Sequence, residues 1–298
     1  MIKIVTDSLC DLPDELLAQH EIVMVPVYVI FSDGALRDRL DITNAELHER
    51  LDPEDLPTTS QPSVADFQRV YQRILEDDPK ATILSIHIGV SFSGTLESAK
   101  AAAASLPEAD IHLFDTRSLT LGQGLLVLKA AEMAKKGASL EAILKTLEDM
   151  RDNSSFLFAA ETLIYLQAGG RIGRVARFLG TLLDMKPIIG LKDGAFEPID
   201  RQRSFARAIR AIEEKTLAAL EDRQGIELGV VHANNPVVAQ QLADRLKSDL
   251  NPDRMIVFDV CPALVINAGP GTIGVIWYAP PLEKAKTPAE DKEKSVST

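Results

Sequence analysis

The first half of the chain alternates short apolar runs with helical segments, and this alternation limits the folds that it can adopt. The apolar runs are rich in valine and isoleucine, which indicates buried strands, and their spacing suits parallel crossover connections. We therefore predict an α/β fold whose N-terminal domain, residues 1–153, has a mainly parallel sheet and flanking helices. The predicted strands include Ile2–Val5, Ile22–Phe31, Ala81–Ile88 and Ile111–Phe114, and Ser32–Asp41 is predicted as a polar loop.

The pattern changes near residue 154. The apolar runs on either side of Lys192-Asp193-Gly194 predict a hairpin, because Asp-Gly favours a two-residue turn between antiparallel strands. An amphipathic helix is predicted over Val175–Leu183. We expect a C-terminal α+β domain with an antiparallel sheet over residues 154–281. The polar residues 282–298 have little to bury and are expected to form a disordered tail.

Composition narrows the classes of function. The chain has 298 residues and a net charge of -12, which argues against a nucleic-acid surface. No apolar run approaches the length of a membrane span, although this leaves room for transient contact with a membrane. The chain begins directly with a strand and has two distant cysteines, so we expect a cytoplasmic protein without a disulfide framework.

A strand-to-helix turn over Ser91–Ala99 is the first candidate binding site. It carries four hydroxyl side chains and one glycine, and it leads into a helix predicted over Leu96–Ala104. Backbone N–H groups at the start of a helix bind anions in α/β proteins. The turn is therefore either an anion site or a simple helix cap, in which Ser91 or Ser93 caps the helix and Glu97 completes the capping arrangement.

The segment Pro57–Ser63 is the second candidate. Its two prolines restrict the backbone around three consecutive hydroxyl residues, Thr58, Thr59 and Ser60. Ser63 is the predicted cap of the next helix. Because the other three hydroxyl groups have no capping role, we expect them to contact a ligand.

Other chemistries fit the sequence poorly. The glycine-rich turn at 169–173 lacks both the Walker ending and the spacing of a dinucleotide fingerprint. A serine hydrolase would need His87 or His232 beside Ser93, with Asp115 to orient the base, yet the chain has no Gly-x-Ser-x-Gly motif. The five histidines are scattered, which argues against a metal site.

The second half contains a dense zone of arginines. Helical spacing explains part of it as a solvated helix face. In contrast, Arg171 lies in a glycine turn and Arg203 at the start of a predicted helix, where a guanidinium group can meet a carboxylate or phosphate of a ligand or partner. The zone comprises Arg171, Arg174, Arg177, Arg201, Arg203, Arg207 and Arg210.

Taken in order along the chain, these segments resemble the DegV family, fatty-acid-binding proteins that serve as the lipid-presenting subunit of bacterial fatty acid kinase. The resemblance covers the chain from residue 6 to residue 271. It is carried by Thr6-Asp7-Ser8 with Asp11-Leu12, Pro57-Thr58-Thr59-Ser60-Gln61-Pro62, Ser93-Gly94-Thr95 with Ser98-Ala99, Asp115 with Gly122 and Gly124, Tyr165-Leu166, Gly169-Gly170-Arg171-Ile172, Lys186-Pro187, Arg203, and Gly269-Pro270-Gly271.

The resemblance implies a parallel-sheet domain, an antiparallel-sheet domain and a buried acyl tunnel. It implies that Thr59 and Ser93 bind the carboxylate of a long-chain fatty acid, with backbone N–H groups around Ser93 and Gly94 assisting. It also implies that Arg171 and Arg203 engage the catalytic subunit of a fatty acid kinase.

One position departs from the family pattern. Asn267, two residues before Gly269-Pro270-Gly271, stands where members of the family often have histidine. Asparagine donates a hydrogen bond but carries no charge, so Ser60 or Asn267 is expected to compensate, or the preferred ligand differs.

Two functions follow from these expectations. The first is a carrier that buries an acyl chain and presents its carboxylate to a separate ATP-dependent kinase, with no metal or cofactor of its own. The second is an enzyme that acts on a small phosphorylated or carboxylated metabolite at the same anion-binding turn.

Overall fold

The structure of the chain is a computed structural model in which residues 1–52, 55–178 and 185–281 are described. The strands are β1 (Ile2–Asp7), β2 (Val23–Val25), β3 (Tyr28–Phe31), β4 (Gly34–Arg37), β5 (Thr58–Ser60), β6 (Thr82–His87), β7 (Asp110–Asp115), β8 (Ser154–Ala159), β9 (Lys186–Lys192), β10 (Ala195–Gln202), β11 (Glu227–His232), β12 (Arg254–Asp259) and β13 (Ile273–Tyr278). The α-helices are α1 (Asp14–Gln19), α2 (Asn44–Arg50), α3 (Val64–Asp77), α4 (Thr95–Ala104), α5 (Leu121–Lys135), α6 (Leu140–Asp152), α7 (Ile164–Ala168), α8 (Phe205–Leu220), α9 (Pro236–Leu250) and α10 (Pro262–Ala268).

The N-terminal sheet has the strand order β2-β1-β6-β7, and every pair in it is parallel. Helices connect consecutive strands, as parallel pairing requires. The predicted parallel sheet with flanking helices is confirmed. The carboxyl ends of β1, β6 and β7 therefore lie at one edge of the sheet, where open α/β sheets bind ligands.

The apolar run Ile22–Phe31 is divided between two sheets, so its prediction as one strand is wrong. Pro26 lies between β2 and β3 and has no N–H to continue the ladder, so the chain leaves the parallel sheet there. Strand β3 instead pairs with β4 and β5 in a small antiparallel sheet. Consequently Ser32–Asp41 contains strand β4 rather than only a loop, and Thr58–Ser60 forms strand β5.

The C-terminal sheet has the strand order β10-β9-β8-β13-β11-β12. Its pairs are antiparallel except for β11 and β12, which are parallel. The predicted hairpin is confirmed: Lys192 pairs with Ala195, and the two turn residues, Asp193 and Gly194, have φ angles of 51° and 72°. Positive φ at both central residues is typical of the type I′ turn that Asp-Gly favours.

Helix α5 packs against both sheets. It contacts β1 and β6 on one side and β8, β11 and β13 on the other, and its residues 121–128 are all buried. Gly124 allows close packing, because a Cβ there would lie 2.4 Å from the carbonyl oxygen of Cys10. The largest buried cluster accordingly draws residues from both halves of the chain. The domain boundary at residues 153 and 154 stays a prediction.

Some predicted segments differ or lie outside the described residues. Of the helix predicted over Val175–Leu183, the structure shows a 3₁₀ helix over Gly173–Phe178, and 179–184 lie outside. The predicted tail, 282–298, also lies outside. Within the described part of the chain, no helix is long and apolar enough to cross a bilayer, and no group of side chains is arranged to hold a metal ion.

Candidate functional site

A cavity lies between the carboxyl edge of the N-terminal sheet and the C-terminal sheet. It encloses about 1100 Å³ of space between atoms, part of which is open to solvent. Turns that follow β1 and β6, the start of α5, and helices α7 and α10 contribute to its wall. We call it the first cavity. Its position is the one that the parallel sheet predicts for a ligand.

The interior wall of the first cavity is mostly apolar. Four phenylalanines form a continuous part of it: the ring centroids of Phe92 and Phe196 are 4.7 Å apart, those of Phe158 and Phe196 5.1 Å, and those of Phe156 and Phe158 5.2 Å. Aliphatic side chains such as Leu9, Ile88, Val231 and Leu264 complete the wall. Such a surface gains free energy when it contacts a hydrocarbon chain.

The segment Pro57–Ser63 contributes three polar side chains to the first cavity. Thr59, Ser60 and Gln61 all line it, and strand β5 holds the first two because Thr59 pairs with Val29 of β3. The Gln61 amide spans from this strand to α4, where its Nε2 donates to the Ser98 hydroxyl over 3.2 Å.

The turn before α4 forms the facing wall. Ser93 lines the cavity, and its Oγ lies 2.8 Å from the Thr95 hydroxyl and accepts a 3.3 Å bond from the Thr95 backbone N–H. The N-cap residue of α4 is Gly94, and Glu97 does not close the capping box that the cap interpretation predicted. Among the described residues, no acceptor is found for the backbone N–H groups of Ser93 and Gly94. These two donors remain available to an anion.

Gly94 lies close to the Gln61 side chain. A Cβ at Gly94 would lie 2.2 Å from Gln61 Oε1, so a larger residue there would displace the Gln61 amide from its present position. Gly94 has no side chain to line the first cavity, so its predicted contribution is its backbone N–H, whereas Thr59, Ser60 and Ser93 line the cavity. Gln61 belongs to one of the segments that resemble the family, but the sequence alone does not identify it as a site residue.

Arg171 supplies a cation to the same wall. Its Nε donates to the Phe92 carbonyl over 3.3 Å, and its Nη1 donates to the Gly169 carbonyl. These bonds hold the half-buried guanidinium across the α4 turn. The sequence predicted Arg171 as a partner-binding residue, and the structure places it on the first cavity. Arg203 is exposed just before α8 and does not line the cavity.

Asn267 also lines the first cavity, from helix α10. Its Nδ2 donates to the Ala263 carbonyl over 2.9 Å, which leaves one amide hydrogen for other partners. Its Oδ1 packs over Gly169, where a Cβ would lie 2.2 Å away. The absence of a side chain at Gly169 therefore makes room for Asn267.

The deep wall contains polar residues that the sequence analysis did not assign to a ligand site. Thr120 lines the cavity and donates a 2.6 Å hydrogen bond to the buried Asp11, which also accepts the Cys261 backbone N–H over 2.9 Å. Burial raises the pKa of Asp11 to about 7. His232 is likewise buried at this wall, with Nδ1 3.1 Å from Asp259 Oδ1. Local sequence does not reveal these contacts, because Asp11 bonds to Thr120 and to Cys261, which are distant along the chain.

The hydrolase arrangement, which the sequence disfavours, is not formed by the described residues at Ser93, whose Oγ bonds only to Thr95. His87 is fully buried, and its Nδ1 lies 2.9 Å from Asp7 Oδ2 while its Nε2 lies 2.7 Å from Ser85 Oγ. The Ser85 hydroxyl lies 2.8 Å from that of the buried Tyr71. Both ring nitrogens of His87 are therefore engaged away from the first cavity. We call these four residues the buried network.

The fold and the first cavity define a class of protein. Two sheets enclose an apolar chamber, and one wall of it gathers hydroxyl groups, free backbone N–H groups and a guanidinium. This arrangement can hold a ligand with a hydrocarbon chain and an anionic head group.

The chain belongs to the DegV family: the model of this family, which is described as uncharacterised, matches residues 1–280. A DegV domain-containing protein of Caldanaerobacter subterraneus is 33% identical over 276 residues, which cover 93% of this chain and 98% of the relative.

Solved structures share the fold. A fatty-acid-binding DegV family protein from Thermus thermophilus has a TM-score of 0.88 and 37% identity, and the match covers 93% of this chain and 99% of that one. DegV of Bacillus subtilis, a fatty acid binding protein, has a TM-score of 0.85 and 30% identity over 93% and 99% of the two chains. A stearic acid-binding protein from Eubacterium ventriosum has a TM-score of 0.87 and 28% identity over 94% and 98%.

Proposed function

We propose that this protein binds a long-chain fatty acid in the first cavity. The observation that carries the proposal is the convergence of Thr59, Ser93 and Arg171 on a cavity whose interior is lined by phenylalanine and aliphatic side chains. The similar proteins from Thermus thermophilus and Bacillus subtilis are fatty acid binding proteins, which supports the same ligand class here.

The apolar wall provides the affinity in this proposal. Burial of a methylene group contributes about 0.8 kcal/mol, so an acyl chain of roughly fifteen carbons gains on the order of 10 kcal/mol before the ordering costs of binding. The phenylalanines around Phe158 and Phe196 offer the surface for this contact. A small hydrophilic metabolite would gain nothing from the same wall, which disfavours the alternative of an enzyme that acts on such a compound.

The polar wall holds the head group. A carboxylate that leaves water must regain hydrogen bonds, and charged hydrogen bonds are the strongest available. The Thr59 and Ser93 hydroxyls, the free N–H groups of Ser93 and Gly94, and the Arg171 guanidinium supply them, with Ser60 and Asn267 at the same wall. Arg171 provides the positive charge that Asn267 lacks.

A carrier of this kind leaves the chemistry to a partner. We propose that the protein presents the bound carboxylate to a separate ATP-dependent fatty acid kinase in the cytoplasm and has no catalytic residue or cofactor of its own. In this proposal Arg203, which is exposed and outside the first cavity, contacts the kinase, and Arg171 contacts the head group that both proteins share.

Native mass spectrometry of the purified chain tests the ligand class. The expected result is an added mass that lipid extraction identifies as a fatty acid, because a ligand enclosed between two sheets survives purification. After the co-purified lipid has been removed, the protein should bind one added fatty acid molecule per chain. A chain that purifies without ligand and also fails to bind added fatty acids contradicts the proposal.

A further inference from the structure

A second cavity lies where the loop after β7 meets the β9–β10 hairpin. It encloses about 1070 Å³ of space between atoms, partly open to solvent, and shares no lining residue with the first cavity. The hairpin approaches the loop closely, because a Cβ at Gly194 would lie 3.2 Å from the Cβ of Arg117. The walls carry hydroxyl and charged side chains in place of the phenylalanines of the first cavity.

The Ser118 hydroxyl is an unbonded polar group on this second cavity. The residue is only 7% exposed, and its backbone is fixed by a 3.2 Å bond from its N–H to the Thr116 hydroxyl and a 2.8 Å bond from the Gly89 N–H to its carbonyl. Within the described ranges, its Oγ has no hydrogen-bond partner. The hydroxyl therefore has both its donor and its acceptor capacity available to a ligand that enters the cavity.

Two cations on the second cavity are also unengaged. Among the residues that the structure describes, neither Arg117 nor Lys192 has an ion pair or a side-chain hydrogen bond. Arg117 in addition has a φ of 49°, a strained value for a residue with a side chain. The third cation, Arg151, is already used, since its Nε lies 3.2 Å from Asp152 Oδ1.

The charges on the second cavity favour an anion. Three basic and two acidic side chains line it, and Arg151 and Asp152 neutralise each other. The remaining carboxylate, Asp193, is exposed at the hairpin turn. Arg117 and Lys192 therefore give the cavity a positive balance.

We propose that the second cavity binds the phosphate group of a small hydrophilic metabolite. A phosphate group presents several strong acceptor oxygens in different directions, and it carries more charge than a carboxylate at neutral pH. The guanidinium of Arg117, the ammonium of Lys192 and the Ser118 hydroxyl together match that acceptor set. The polar wall excludes an acyl chain, so this site is independent of the fatty acid site.

Calorimetric titration of the full chain with inorganic phosphate at low ionic strength tests the site. The expected result is one saturable equivalent that sodium chloride does not reproduce. The double variant Arg117→Gln/Lys192→Gln should bind phosphate about 10-fold more weakly or worse, because it loses two charged contacts. If that double variant fails to fold, Lys192→Gln alone alters an exposed side chain and should still weaken binding several-fold.

Two control variants locate the phosphate. Arg207→Gln/Arg210→Gln removes the same charge from the exposed face of α8 and should leave phosphate affinity unchanged. Thr59→Ala/Ser93→Ala alters the first cavity and should also leave it unchanged. The proposal is overturned if wild-type protein shows no saturable binding, if the Arg117/Lys192 variant binds normally, or if the Thr59/Ser93 variant loses binding.

Discussion

The buried network and the polar wall of the first cavity contain similar residue types, but the first stabilises the core and the second is available to a ligand. In the network, Asp7, His87, Ser85 and Tyr71 are 0% exposed and bond to one another. At the cavity, Thr59, Ser93 and Arg171 are half-buried, and the backbone N–H groups of Ser93 and Gly94 have no acceptor among the described residues. The comparison teaches that a hydroxyl or an imidazole indicates a binding site only when the fold leaves its bonding capacity unused.

The largest effect is expected from the buried network. His87→Ala removes one hydrogen-bond partner from Asp7 and one from Ser85 and leaves a cavity in the core, so we expect the free energy of unfolding to fall by about 3–5 kcal/mol. Urea denaturation measures the change. Ser93→Ala is the matched control at the cavity, and its effect on stability should stay below about 1 kcal/mol. Equal effects of the two substitutions would remove the distinction between network and cavity.

The second prediction concerns Asp11, which combines burial with a position behind the first cavity. Its folded-state pKa, raised by burial to about 7, exceeds its unfolded value. The carboxyl group therefore stabilises the fold below about pH 4, and this contribution is lost as the pH rises through 7. Between pH 4 and pH 8 the free energy of unfolding should fall by about 2–4 kcal/mol on this account.

The variant Asp11→Asn isolates that contribution. It keeps the size of the side chain but does not ionise, so its stability should fall less than that of the wild type over the same pH range. Urea denaturation at several pH values makes the comparison. Parallel curves for the two proteins would show that Asp11 does not titrate as the buried position requires.

The third prediction concerns the head-group wall. The double variant Thr59→Ala/Ser93→Ala should bind fatty acid about 10- to 100-fold more weakly, since each hydroxyl that contacts a carboxylate contributes about 1.5 kcal/mol. Its urea midpoint should stay near that of the wild type. Fluorescent fatty acid displacement measures the affinity, and an unchanged dissociation constant would exclude both residues from the site.

The smallest expected effect is on fatty acid affinity, and it distinguishes the role of Arg171 from that of Arg203. Arg171→Gln should weaken fatty acid binding about 10-fold, because it removes the cation on the first cavity. Arg203→Gln, the matched exposed variant, should leave binding unchanged and lower only the rate of phosphorylation by an added kinase. Equal losses of fatty acid affinity in both variants would contradict the assignment of their roles.

Local sequence determined the elements that depend on local contacts. The Asp193-Gly194 turn and the cap at Ser63 were both predicted, and the Ser63 hydroxyl accepts the Asp66 N–H in a full capping box. The break at Pro26 was missed because β-branched residues surround it, and their propensity indicates a strand without indicating which sheet it joins.

The candidate site likewise has local features that the sequence predicts and non-local contacts that it does not predict. The hydroxyl segments containing Thr59 and Ser93 were recognised from the sequence, and the fold brings them to one cavity. The bonds that decide what each residue does are non-local: Asp7 meets His87 across 80 positions, and Gln61 meets Ser98 across 37. No periodicity or motif encodes such contacts, so His87 was a candidate base until the structure showed its partners.

The orientation of the bound fatty acid tests the central claim most directly. A crystal structure with an ω-bromo long-chain fatty acid locates the bromine by its anomalous signal and the carboxylate by its density. We predict the carboxylate between Thr59 and Ser93, within reach of Arg171, and the bromine against the phenylalanines of the apolar wall. A bromine atom at the Ser93 turn, or a fatty acid bound outside the first cavity, would contradict this account.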